Sequence, residues 1–363
     1  MPIDHPTGSP LTAPSAVSAT TAAGRLPVPD VLRGLAVTAM VLAHAVPLLP
    51  TMPYGLRFLL GNINDVASPL FALVMGMSAQ IVWARSEPGG HARVLLRQTI
   101  RAAVLIGLGL WMMSWGTWVA IVLGHLGVLL LVGAPLLLLS SRWVGALALA
   151  LWLVSSPVNE WARNALVWVF SDPSGVAPTI ASWLVLGGSY RLTNLLPFFL
   201  VGALLLRQPP RGRTLWFLLA IAALAYTVEP IAKRVFGLTS YASGSYPDTF
   251  RDIALVLAVF VAVSWLSASR GRIRAAAEFA FVPLRALGAV ALSLYLLHVA
   301  LLAWVAPGAV RPVENDYLGW LIVVPTVLLA GVVWHRLVGR GPVEWLIAKA
   351  TGFLRAPSSA KSP

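Results

Sequence analysis

The stretch DVLRGLAVTAMVLAH at residues 30–44 places Arg33 and His44 near the two ends of an otherwise apolar run. Eleven residues separate them, which at about 100° and 1.5 Å per residue sets both on one helical face, about 16 Å apart. An arginine suits a phosphate or carboxylate, because its planar guanidinium presents several fixed donors. An imidazole suits general-base work, because its ordinary pKa lies near neutrality. Together they describe a track from an anion-binding mouth to a proton acceptor deeper in the helix. Asp30, close to the same line, is placed to orient Arg33.

Other polar residues sit in apolar stretches, where ionisable groups are costly and usually face an interior cavity. His125 lies between Gly124 and Gly127, and His298 ends LSLYLLH at 292–298, with Tyr295 on nearly the same face. Asp65 opens the apolar run 65–84, and Ser68, Ala72 and Gly76 follow at four-residue intervals. Such a stripe of small residues admits another helix at close range. By depth, His44, Asp65, His125 and His298 fall in one half of the membrane, so they are candidates to line one cavity. Each also has a plainer use. His125 or His298 alone can hydrogen-bond a neighbouring helix. Asp65 can cap the start of its helix by accepting from free backbone N–H groups. Arg97 and Arg101 can serve as charges that fix topology. His335 is expected at the water-accessible end of its span.

Positioning these residues requires membrane helices. The chain has 363 residues, of which 58% are hydrophobic and 11% charged, with a mean hydropathy of +0.81. Soluble domains carry about 25% charged residues, so too few are present here to cover a soluble surface. The net charge of +13 and pI near 11.1 would suggest nucleic acid in a soluble protein. In a membrane protein the excess is a topology signal, and no nucleic-acid partner is expected. A span needs about 20 apolar residues. Candidate spans fall at 30–49, 65–84, 98–116, 119–139, 143–156, 192–206, 214–228, 251–268, 285–305 and 318–336. The expected fold is all-α and polytopic, with about ten (10–11) transmembrane helices. With the N-terminus inside, the outer side carries Arg57, Arg163, Arg191, Lys233, Arg234, Arg251 and Arg311, and the rest of the 26 basic residues fall inside. That bias predicts both termini in the cytoplasm. Residues 1–25, rich in Pro, Ser, Thr and Ala, read as a disordered tail, 26–340 as the membrane domain, and 341–363 as a basic amphipathic tail. Two long outer loops, 157–191 and 229–250, are candidate binding segments. Arginine and alanine usage points to a bacterial source and hence to the inner membrane.

Other chemistry is not signalled. The chain has no cysteine, hence no thiol nucleophile, and it shows no phosphate-binding glycine loop, no metal-ligand spacing and no nucleophile elbow. Three function classes stay open on these residues. One is a membrane transferase using His44 as base. Another is a proton-coupled secondary transporter using the histidines and Asp65 as a relay. The last is a non-catalytic membrane scaffold.

At these residues the chain resembles the transmembrane acyltransferase superfamily, which includes the acyltransferase-3 and heparan-α-glucosaminide N-acetyltransferase-like branches. LRGLAVTAMVLAH supplies Arg33 and His44 at the spacing of the acyltransferase-3 first helix. LSLYLLH, with Ser293, Tyr295 and His298, is similar to a late helix common in that branch. DVASPLFALVMGMS at 65–78 and GHLGVLLLVGAPLL at 124–137 resemble stretches of the heparan-acetyltransferase branch. That branch carries a histidine between its first two helices, whereas residues 45–64 hold none here. The resemblance implies an acyl-CoA donor, most simply acetyl-CoA, with its phosphates near Arg33 and Arg97 or Arg101, and no metal. It implies His44 and Asp65 as catalytic residues, and Ser68, His125, Tyr295 and His298 toward an acceptor such as an envelope glycan. Membrane lipids are the other expected partner.

Overall fold

The computed structural model describes residues 27–86, 89–171, 175–237, 240–308 and 310–352. The predicted tail 1–25 and the end of the basic tail lie outside the described residues. Thirteen α-helices are described: α1 (Pro27–Ala45), α2 (Tyr54–Ala84), α3 (His91–Met113), α4 (Leu123–Leu136), α5 (Ser141–Ala165), α6 (Val176–Ala181), α7 (Leu192–Arg207), α8 (Arg213–Phe236), α9 (Tyr246–Ala268), α10 (Gly271–Ala289), α11 (Ala291–Val305), α12 (Tyr317–Leu337) and α13 (Pro342–Gly352). A π-helical turn, Ser182–Leu186, continues α6. Among the described residues no strand occurs, and seven helices are long and apolar enough to cross a membrane, or eight if the bent pair α10–α11 is one span. The apolar helices α4 and α7 are shorter, at 14 and 16 residues. A helix lies within each expected span, so the fold is the all-α membrane architecture that composition demands.

Four boundaries differ from expectation. The second helix begins at Tyr54, directly after Pro53, rather than at residue 65. Asp65 is therefore mid-helix and caps nothing, which corrects the N-cap reading. Its 31 residues extend about 46 Å at 1.5 Å each, well beyond a hydrocarbon core of about 30 Å, so its polar start (Arg57, Asn62, Asn64) need not lie in lipid. The fifth expected span, 143–156, is a 25-residue helix to Ala165, and the loop at 229–250 shrinks because α8 runs to Phe236. The stretch 285–305 is not one straight helix. It breaks at Val290 with a 77° bend. The amides freed at the bend do not go unpaired: Leu292 and Ser293 donate to the Glu344 carboxylate at 2.7 and 3.1 Å. A broken membrane helix is tolerated where such partners replace the lost backbone bonds.

Glycines let the central helices touch backbone to backbone. A Cβ on Gly76 would stand 1.8 Å from the Phe199 carbonyl oxygen, and one on Gly202 1.9 Å from that of Leu73. Gly76 of the predicted small-residue stripe thus seats α2 against α7, whereas Ser68 faces the cavities. Gly34 and Gly288 play the same part between α1 and α10, where a Cβ would meet the Leu284 and Asp30 carbonyls at 1.9 and 2.5 Å. Gly76→Val is expected to lose about 3 kcal/mol or more, because the obstacle is backbone and cannot rotate away. Gly107→Ala in α3, with nothing within 4 Å of the added carbon, is the matched control. Apparent Tm in detergent and the monodisperse fraction on size exclusion check the pair: the first variant should lose both and the second neither.

Candidate functional site

The Arg33–His44 face of α1 runs along three cavities in series. The first is a chamber of about 490 Å³ walled by α1, α2, α3, α4, α10, α11 and α13. Arg33, Arg97 and Arg101 all line it, together with Ser78 and Gln98. Arg33 donates to the Ser78 hydroxyl at 2.6 Å and pairs with Asp30 at 3.3 Å. Arg101 donates to the buried Gln98 amide oxygen at 3.3 Å. Three guanidinium groups over a largely apolar cavity make a receptor for an anion carrying an apolar arm.

A neck of about 20 Å³ follows, walled by Met40, Ala43, His44, Asn64, Ala67, Ser68, Phe71, Val122 and Tyr190. It shares Met40, Phe71 and Val122 with the first chamber. It shares Ala43, His44, Asn64, Ser68 and Tyr190 with a second chamber of about 470 Å³. That chamber is more polar, lined by Asp65, Asp248, Asp252, Arg57, Arg311, Ser189, Ser243 and Trp118. His44 therefore stands at the junction, where a group reaching from one chamber meets a group held in the other.

His44 is built into a relay. Its Nδ1 lies 2.8 Å from Nε2 of His298, with the rings stacked at 5.1 Å and 14°. Nδ1 of His298 lies 3.2 Å from the Leu294 carbonyl. A carbonyl only accepts, so His298 carries its proton on Nδ1 and, when neutral, presents a lone pair at Nε2. His44 must then donate from Nδ1, which leaves its own Nε2 as the basic nitrogen. No hydrogen bond to a described residue occupies that atom. His298 is fully buried, so its ring cannot swing to water. Tyr295 packs edge-on against His298, lines the first chamber, and accepts at its hydroxyl oxygen from the Val122 amide at 3.0 Å. Its hydroxyl proton remains available to a ligand.

The remaining predicted residues divide. Ser68 lines both the neck and the second chamber. Asp65 lines the second chamber but lies 3.0 Å from Arg251, whose other end meets Glu229 at 3.0 Å. This ion triad ties α2 to α8 and α9. His125 lines none of the three cavities and packs edge-on against Tyr190, which does. Sequence reasoning reached Asp248 only as part of the candidate loop 229–250 and passed over Asp252, although two acids four residues apart at the start of an apolar helix carry a readable signal. Tyr190 falls in the candidate loop 157–191 without a role of its own; burial pushes its phenol up to about 12, so it stays a protonated donor on the wall. The charge bias of the loops accounts for Arg191 only as an outer charge. It is buried and donates to the carbonyls of Gly187, Gly188 and Ser243, pinning two loops over the second chamber.

Residues 25–204 match the family model described as heparan-alpha-glucosaminide N-acetyltransferase, catalytic. No curated protein matches the chain. The matched segment contains Arg33, His44, Asp65, Ser68, Arg97, Arg101 and His125, while Tyr295 and His298 lie beyond it.

Proposed function

Because the chain belongs to the heparan-alpha-glucosaminide N-acetyltransferase-like family of transmembrane acyltransferases, we propose that it moves an acetyl group from acetyl-CoA to a hydroxyl or amine held in the second chamber. The observation that carries this reading is His44 at the neck, its Nε2 free, between an arginine-lined chamber and a carboxylate-lined one. The donor's phosphates lie against Arg33, Arg97 and Arg101, and its thioester reaches the neck. The arginine-rich end faces the cytoplasm, in line with the charge bias of the loops, in the inner membrane of a bacterium. The acceptor is a sugar unit of the cell envelope. Asp248 and Asp252, with Ser68 and Tyr190, supply the hydrogen-bonding groups that suit a polyhydroxylated ligand.

The transfer balances on one base. The acceptor oxygen or nitrogen attacks the thioester carbonyl while His44 Nε2 takes the acceptor's proton. His298 accepts from Nδ1 throughout and spreads the charge of the imidazolium so formed. Tyr295 donates to the carbonyl oxygen as it becomes an oxyanion. Collapse breaks the carbon–sulfur bond, and the thiolate takes the proton back from His44 and leaves as free CoA.

Purified protein in nanodiscs, given radiolabelled acetyl-CoA and candidate acceptors, tests the reading. Saturable binding of acetyl-CoA is expected, weakened about ten- to a hundredfold in Arg33→Ala, the range of one lost charge-assisted contact. Proton-coupled uptake of a solute with no acetyl-CoA binding would sink it.

A further inference from the structure

Resting on the acyl-transfer reading, we propose that Glu344 is a positioning residue. It latches the donor chamber's floor to the start of α11 and so holds His298, and through it His44, in register with the donor. The bend at Val290 leaves the first amides of α11 without helical partners. One carboxylate oxygen of Glu344 accepts from both Leu292 and Ser293 amides, and the other accepts from the Ser293 hydroxyl. The Ser293 oxygen in turn accepts from the Val343 amide at 3.1 Å, so the latch closes on α13 itself. An anion at a helix N-terminus is favoured by the helix dipole as well as by these bonds.

Two features make this more than a helix cap. Glu344, Ile347, Ala348 and Thr351 line the first chamber, so the residue that fixes α11 is also part of the donor's surface. The latched end is one turn from the relay: Leu294, whose carbonyl orients His298, follows Ser293 directly. Any shift of α13 is therefore transmitted to the carbonyl that sets the proton on His298. The fit at the joint is close. A Cβ on Gly341 would come within 2.1 Å of Glu344 Oε2 and 2.5 Å of Ser293 Oγ.

The test uses the full chain in nanodiscs and compares Glu344→Ala, Glu344→Gln and Ser293→Ala with wild type. Glu344→Ala is expected to lower kcat by about tenfold or more, with donor KM changed by less than about threefold. Glu344→Gln, which keeps a carbonyl oxygen for the two amides, recovers most of the loss. Carbethoxylation of His44 by diethyl pyrocarbonate, read by peptide mass at fixed pH, slows severalfold in Glu344→Ala and not in Glu344→Gln. Unchanged kcat and unchanged His44 reactivity would overturn the proposal. So would parallel loss of kcat, donor binding and Tm in both Glu344 variants, which marks a cap that only holds the fold. If Glu344→Ala does not fold, Ser293→Ala decides: a severalfold fall in kcat at constant KM supports the latch, and none refutes it. If wild type shows no acyl transfer at all, the functional reading fails, and the His44 reactivity series still decides whether Glu344 sets the relay.

Discussion

Replacing His44 with alanine is expected to cut acetyl transfer by about 10²–10⁴-fold, with acetyl-CoA binding left within about threefold of wild type. The large effect follows from position. His44 is the imidazole common to the neck and the second chamber, and its Nε2 is the one relay nitrogen without a hydrogen-bond partner among the described residues. Removing it leaves no positioned base for the acceptor's proton. The small effect on binding follows from the same geometry, because the three arginines lie in the other chamber. Single-turnover release of free thiol measures the first quantity, and equilibrium binding of labelled donor measures the second. Loss of both together would mean that His44 supports the fold rather than the chemistry. His44→Gln, which fills the site but cannot act as a base near neutrality, should be as inactive as alanine.

The axis of this site was readable on one helix. The Arg33–His44 spacing fixes a face by helical geometry alone, and the structure lines that face with cavities. Arg97 and Arg101 were readable as charges but ambiguous as ligands, since periodicity on their own helix says nothing of which neighbour it faces. The pairing of His44 with His298 joins residues 254 apart in sequence. No local rule encodes that distance, although each histidine alone was conspicuous in its apolar run. Asp65 misled for a local reason. An acid at the start of an apolar stretch looks like a cap, but helices end where backbone partners end, not where hydropathy falls, and α2 begins eleven residues earlier. The break at Val290 was hard to read because the nearby glycine, Gly288, is accounted for by its close packing against α1. The group that takes the freed amide of Leu292 is a carboxylate 52 residues away, which no local pattern shows.

Substituting His298 tests whether the two histidines act as a unit. His298→Ala is expected to lower kcat by about 10²-fold, since it removes the acceptor for His44 Nδ1–H and frees the ring to adopt the unproductive tautomer. His298→Gln places a carbonyl oxygen near the lost Nε2 and should recover about tenfold of that loss. The decisive comparison is the double variant. If His298 acts only through His44, then His44→Ala with His298→Ala is no slower than His44→Ala alone, because residues that work as one unit are not additive. Multiplied losses would instead assign His298 a contact of its own with donor or acceptor. The burial of His298 argues against that second outcome: at 0% exposure it lines none of the three cavities, and its ring touches only His44, Tyr295 and the Leu294 carbonyl among the contacts described. Rates from single-turnover assays on the four proteins of the cycle, each checked for donor binding, separate the two cases.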